Sequence, residues 1–151
     1  MKSTYTCDID CPREKVFAFL DDPDNLPKYV PNLVDHGVIK ETPEKVGTTF
    51  WHEYEENGRK MKMNGVVTVH EPPTRMAVEV DGAMFGIKVL YELEELGPDK
   101  TRVIQHSDAN FKHVFKMMGL LFRKKMEVEG RKAQDAVYAN MKRILEEGEA
   151  S

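Results

Sequence analysis

A chain of 151 residues, 40% hydrophobic and 32% charged, has the length and composition of one globular domain (residues 1–151) with a core of its own. The net charge of −4 and an isoelectric point near 5.8 lack the basic excess of a nucleic-acid footprint, so no nucleic-acid partner is expected. No apolar run approaches the ~18 residues of a membrane span and the start is polar, so a cytoplasmic protein without stable membrane insertion is expected.

Residues 3–9 alternate, with Tyr5, Cys7 and Ile9 on one side and Thr4, Thr6 and Asp8 on the other, the pattern of a half-buried strand. Cys7 then reads as a core thiol. Cys7 and Cys11 make no disulfide framework, and no second pair stands near enough to complete a metal site, so no metal is expected. Asp10-Cys11-Pro12 turns the chain, and Pro12 opens a short helix with Glu14 in its first turn and Val16, Phe17, Phe19 and Leu20 on its buried side. Asp21-Asp22-Pro23-Asp24 stops it, and residues 26–31, with two prolines, predict a second short helix or turn.

Strand patterns follow at 33–41, 48–55, 60–71, 75–80, 84–93 and 101–109. The breaks are residues 43–47, Asn57-Gly58, Pro72-Pro73, Asp81-Gly82 and Gly97-Pro98-Asp99. Counting the first, seven strands joined mostly by tight turns predict an antiparallel sheet. Parity groups Phe50, His52 and Tyr54 on the face toward a covering helix. Met61, Met63, Val67 and Val69 join them, as do Met76, Val78 and Val80, and Phe85, Ile87, Val89, Tyr91 and Leu93. In the last strand either Ile104, His106, Asp108 and Asn110 or Val103, Gln105, Ser107 and Ala109 point inward; hydrophobic alternation favours the second set.

Residues 111–147 predict a long helix, about 50 Å at 1.5 Å per residue. Phe115, Phe122, Met126, Ala133, Val137 and Ile144 form its apolar stripe, Asn110 is a candidate cap and Gly148 ends the pattern. Gly119 and Gly130 sit on that stripe, where glycine costs about 1 kcal/mol relative to alanine. They fit either close packing against a bulky strand residue or open volume between helix and sheet.

The stretch from Ile9 through Leu20, followed by Asp22-Pro23 and by Leu26-Pro27-Lys28-Tyr29-Val30-Pro31, resembles the opening of the polyketide cyclase/dehydrase and START-type lipid-transfer superfamily (SRPBCC, helix-grip). Val46-Gly47-Thr48-Thr49-Phe50 and Glu71-Pro72-Pro73-Thr74-Arg75-Met76 resemble its second and fourth hairpins, and the likeness covers nearly the full chain. It implies an α+β helix-grip fold: a curved seven-stranded antiparallel sheet around a long C-terminal helix, with two short helices between the first and second strands. It is specific for fold and says little of function, because the superfamily mixes carriers, cyclases, hydroxylase domains and hormone-binding proteins.

A gap between sheet and helix is the expected site, lined by His52, Tyr54, Met61, Met63, Met76, Val78, Phe85, Tyr91, Phe115, Met118, Phe122, Met126 and Gly130. Methionines suit an adaptable apolar cavity, and inner-face His52, Tyr54 and Tyr91 are placed to orient a ligand carbonyl or hydroxyl. The same three residues, with the pair His106 and Asp108, are the candidates for acid/base chemistry. Nucleotide, phosphate-loop, nucleophile-elbow and zinc-protease motifs are absent from the sequence, and no cofactor is expected. The reading is a binding or transfer module for a hydrophobic small molecule such as a lipid, isoprenoid or polyketide. The alternatives are an aromatase/cyclase or dehydratase, and a quinone-chaperone-like interaction module using Tyr29-Val30-Pro31 and the first half of the long helix.

Overall fold

A computed structural model describes residues 1–112 and 119–148. The chain runs β1 (Lys2–Ile9), α1 (Arg13–Asp21), one 3-10 turn (Pro23–Asn25), α2 (Leu26–Tyr29), β2 (Leu33–Lys40) and β3 (Thr49–Glu56). There follow β4 (Arg59–Glu71), β5 (Arg75–Gly82), β6 (Phe85–Gly97), β7 (Lys100–Phe111) and α3 (Gly119–Glu147). The strands form one antiparallel sheet in the order β1-β7-β6-β5-β4-β3-β2, the helix-grip architecture. Consecutive strands from β2 to β7 are neighbours because each is joined by a short turn; only β1, separated by the two short helices, crosses to the far edge beside β7.

Three sequence expectations change. Asn110 is not a helix cap: it lies in β7 opposite Gly86, since β6 and β7 continue their ladder as far as the Phe85–Phe111 pair. Helix α3 is described from Gly119, which has φ +78°, and Phe115 and Met118 lie outside the described residues. In β4 a bulge between Val67 and Val69 reverses the facing: Val69 pairs with Ala77 on the outer side, and His70 turns inward. There its ring meets Phe17 of α1 edge-on at 5.6 Å, and Nε2 lies 3.0 Å from Asp21 Oδ1.

The third change concerns the helix. The α3 residues that are buried are Tyr138, Met141, Ile144 and Leu145, all in its last third. They pack with Ile9, Val16, Phe17, Phe19, Tyr29, Met76, Leu93 and Val103 into one core. Among the described residues of the predicted stripe only Ile144 belongs to that buried set; Val137, Phe122 and Met126 are half-buried and Ala133 is exposed. Burying Tyr138 requires a partner for its hydroxyl, and β7 supplies one: Tyr138 Oη donates to Gln105 Oε1 at 2.7 Å. Its ring stacks on Tyr5 at 4.7 Å, and Tyr5 in turn donates to Asp135 at 2.7 Å. Lys142 Nζ donates to the Asp8 carbonyl and Glu146 accepts from the Asp10 amide, which fixes this end of the helix along β1.

Candidate functional site

The register settles which side chains share the concave face. Gln105 pairs with Tyr91, Tyr91 with Met76, Val78 with Val67, Gly65 with Phe50, Met63 with His52, and Met61 with Tyr54. Near the α1 end this face is filled by the core. Toward the other end Phe50, Met61, Val78, Val80, Phe85 and Ile87 are only half-buried, although they point into the fold. Helix α3 does not close over them. Its main neighbours are α2 and β1, and Phe122 and Met126, on the side of the helix that Val137 and Ile144 share, are only half-buried. A Cβ placed on Gly130 would meet nothing within 4 Å. The exposed glycine therefore does not pack against a strand, and the inward apolar side chains of β3 to β6 stay partly uncovered by the described part of the helix.

Met63 and Met76 are buried, 3% and 8% exposed; Met61, Val78 and Phe85 on the sheet and Phe122 and Met126 on α3 are half-buried. Phe115 and Met118 fall outside the described residues. Gly65 went unnoticed in the sequence. A Cβ there would collide with the Phe50 ring, so the missing side chain lets that ring lie across β4.

Three polar groups stand on this apolar surface. His52 Nδ1 and Tyr54 Oη are 2.9 Å apart, and the His52 ring lies 5.0 Å from that of Phe50. Burial, helped by the neighbouring His36, pulls His52 down to about 4, so its imidazole is neutral at neutral pH. Burial, with a smaller contribution from Tyr91, raises Tyr54 to about 12. Tyr91 is only half-buried by accessible surface, yet burial raises its hydroxyl to about 12. Among the described residues no group lies within hydrogen-bonding distance of the Tyr91 hydroxyl, while Tyr29, Tyr54 and Tyr138 all feel its charge. Tyr29 and Tyr138 belong to the buried core against which Tyr91 packs. Tyr29 and Tyr138 were not expected there. The signal for Tyr138 was its spacing of three and seven residues from Met141 and Leu145.

His106 and Asp108 are elsewhere. They lie on the outer face, where His106 Nε2 is 2.7 Å from Glu92 and Asp108 is 3.6 Å from the N-terminal amine. Thr101, Val103 and Gln105 point inward instead, so the concave face has no imidazole–carboxylate couple from β7. Tyr29 is 7% exposed against Phe19 and does not offer a surface for a protein partner. Among the described residues no group of three or more His, Cys, Asp or Glu could hold a metal ion.

The sequence model of the family described as polyketide cyclase / dehydrase and lipid transport matches residues 1–146. A START superfamily protein from Mycobacterium smegmatis superposes with a TM-score of 0.80 at 14% identity, over 97% of each chain. A protein from Thermus thermophilus also gives 0.80, at 15% identity, over 96% of this chain and 97% of that one. The Zhui aromatase/cyclase from Streptomyces sp. R1128 gives 0.67 at 12% identity, over 93% and 86%. At these identities the shared property is the fold. No curated protein sequence matches the chain.

Proposed function

Because the chain belongs to the polyketide cyclase, dehydrase and lipid transport family, we propose that it binds a hydrophobic or amphipathic small molecule, such as a lipid, isoprenoid or polyketide, in the hollow between the concave sheet face and α3. One observation carries the proposal: the apolar side chains of β3 to β6 that face into the fold stay half-exposed opposite a helix half that does not pack on them. Uncovered apolar area of this kind is worth about 25 cal/mol per Å² to a ligand that dries it. Tyr91, with no partner among the described residues, supplies a donor for one carbonyl or hydroxyl of that ligand, and the His52–Tyr54 pair supplies a second polar contact. Native mass spectrometry of protein purified from its own host should find a bound apolar molecule that is lost on mild organic extraction. A protein that is ligand-free from its host, and that also fails to bind an apolar fluorescent probe, would refute the proposal.

An aromatase/cyclase or dehydratase is the second reading, and the 2.9 Å contact between His52 and Tyr54 favours it. Its weakness is the same imidazole. Held near 4, His52 is a poor base at neutral pH, and no carboxylate from β7 faces it. Binding without turnover is therefore the conclusion. Measurable turnover of a polyketide substrate, lost in His52→Ala with binding retained, would reverse it.

A further inference from the structure

The first half of α3 carries an exposed pattern of its own, on the line that Asp135 and Lys142 continue down to their contacts with β1. Leu121 and Val128 are seven residues apart and fall on one line, at about 100° of turn per residue. Lys124 and Arg131, again seven apart, flank this line on one side; Lys125 and Lys132 flank it on the other. Leu121 and Val128 are exposed, and so are all four cations. The direction is away from Met126 and Val137, which are half-buried on the hollow side.

An exposed apolar ridge between two rows of cations is an unusual surface for a chain of net charge −4. Residues 119–135 hold five cations against three carboxylates, and one of those, Asp135, is engaged by Tyr5. A second copy of the helix could cover the ridge only by setting cation rows against cation rows. A nucleic acid would satisfy the cations but leave Leu121 and Val128 against phosphates. An anionic lipid surface satisfies both, taking the leucine and valine among its acyl chains and the lysines and arginine at its headgroups. No described helix is long and apolar enough to cross a membrane, so the contact would be peripheral.

We infer that the outward face of α3, with Leu121 and Val128 between Lys124/Arg131 and Lys125/Lys132, docks this protein on anionic lipid bilayers. On the reading of the proposed function, docking there would set the bilayer beside the uncovered sheet face and so beside the route by which an apolar ligand would enter. The docking surface itself does not depend on what the hollow binds.

Flotation of the full-length protein with vesicles of phosphatidylcholine, alone or mixed with phosphatidylserine, tests the inference. The protein should float with the mixed vesicles, not with phosphatidylcholine alone, and rising salt should release it. At about 1 kcal/mol per cation near such a surface, Lys125→Gln with Lys132→Gln should weaken partitioning on the order of thirtyfold. Leu121→Gln should weaken it roughly tenfold. Lys60→Gln with Lys88→Gln, on the outer face of the sheet, should leave it unchanged. All these side chains are exposed, so melting temperatures should hold and a failure to fold would be visible. Equal flotation with neutral vesicles, or a Lys125/Lys132 variant that floats like the parent, overturns the inference. So does binding to duplex DNA, or dimerisation, with no vesicle binding. Apolar-probe binding measured without vesicles should survive every one of these substitutions; its loss would count against the hollow, not against the docking face.

Discussion

Replacing Gly130 separates a packed helix from an open one. The position sits on the face of α3 that carries half-buried Met126 and Val137, yet an added Cβ meets nothing within 4 Å. No neighbour has to move, so the overpacking cost of about 1–3 kcal/mol that a tight site would impose does not arise. What is left is the backbone effect: a residue that populates helix better than glycine stabilises by roughly 0.5–1 kcal/mol. For a domain of this size that raises the melting temperature by roughly 1–4 °C. Gly130→Ala should show the gain and leave binding of an apolar probe intact. Gly130→Leu should show most of the same gain, but its side chain enters the hollow, and probe affinity should fall at least tenfold. Thermal melts and a fluorescence titration on the two variants are enough. If both melt lower than the parent, the glycine is a packing residue. If both melt higher and Gly130→Leu binds the probe as well as Gly130→Ala, the ligand does not lie under this helix.

Three further outcomes follow from the same geometry. Tyr91→Phe should change stability by less than about 0.5 kcal/mol, because no described protein group loses a bond, while weakening an oxygen-bearing ligand by roughly tenfold; chemical denaturation and calorimetric titration check the two halves. His52 is held near 4 by burial against 6.5 in the unfolded chain, so between those values the unfolded state binds the extra proton and stability rises with pH. The contribution is complete above about 6.5 and is lost on acidification toward 4, on the order of 3 kcal/mol in all, and denaturation midpoints of His52→Gln should be flatter over that window. Met141→Ala, at a site 1% exposed, should cost about 2–5 kcal/mol in a urea titration, whereas Met126→Ala should cost less than about 1 kcal/mol and act on ligand affinity instead.

The architecture was legible because its signals are local. Asn57-Gly58, Pro72-Pro73 and Gly97-Pro98-Asp99 mark turns by their backbone chemistry, and the alternation between them sets strand and facing together. Where a non-local fact intervenes the reading slips. The bulge in β4 is specified by how Val67 and Val69 meet β5, so Val69 went to the wrong face. Asn110 looked like a cap because its polar side chain suits one, and the ladder with β6 carried the strand past it. The facing of β7 is an informative case. Gln105 is a polar residue that parity alone would put in solvent as readily as His106, and it is buried because Tyr138, some thirty residues later, needs an acceptor.

The long helix explains why the site was harder to read than the fold. Periodicity reports which side of a helix is apolar; it does not report how far along the helix that side is covered. In α3 the last third is anchored by Tyr138, Met141, Ile144 and Leu145, by the stacking of Tyr5 and by bonds to β1. The first half has no such set, and Gly119, Gly130 and the exposed leucines are the trace of that in the sequence. Divided in this way, the helix lets stability and binding respond to different residues. The anchor lies in the last third of the helix, and the proposed ligand and the proposed lipid contact fall to opposite faces of the first half. Had the apolar stripe been packed along its whole length, the inward side chains of β3 to β6 would be covered and Gly130 would meet a neighbour. Both the fold's anchor and the uncovered sheet face therefore follow from one fact, that burial of α3 is confined to Tyr138, Met141, Ile144 and Leu145.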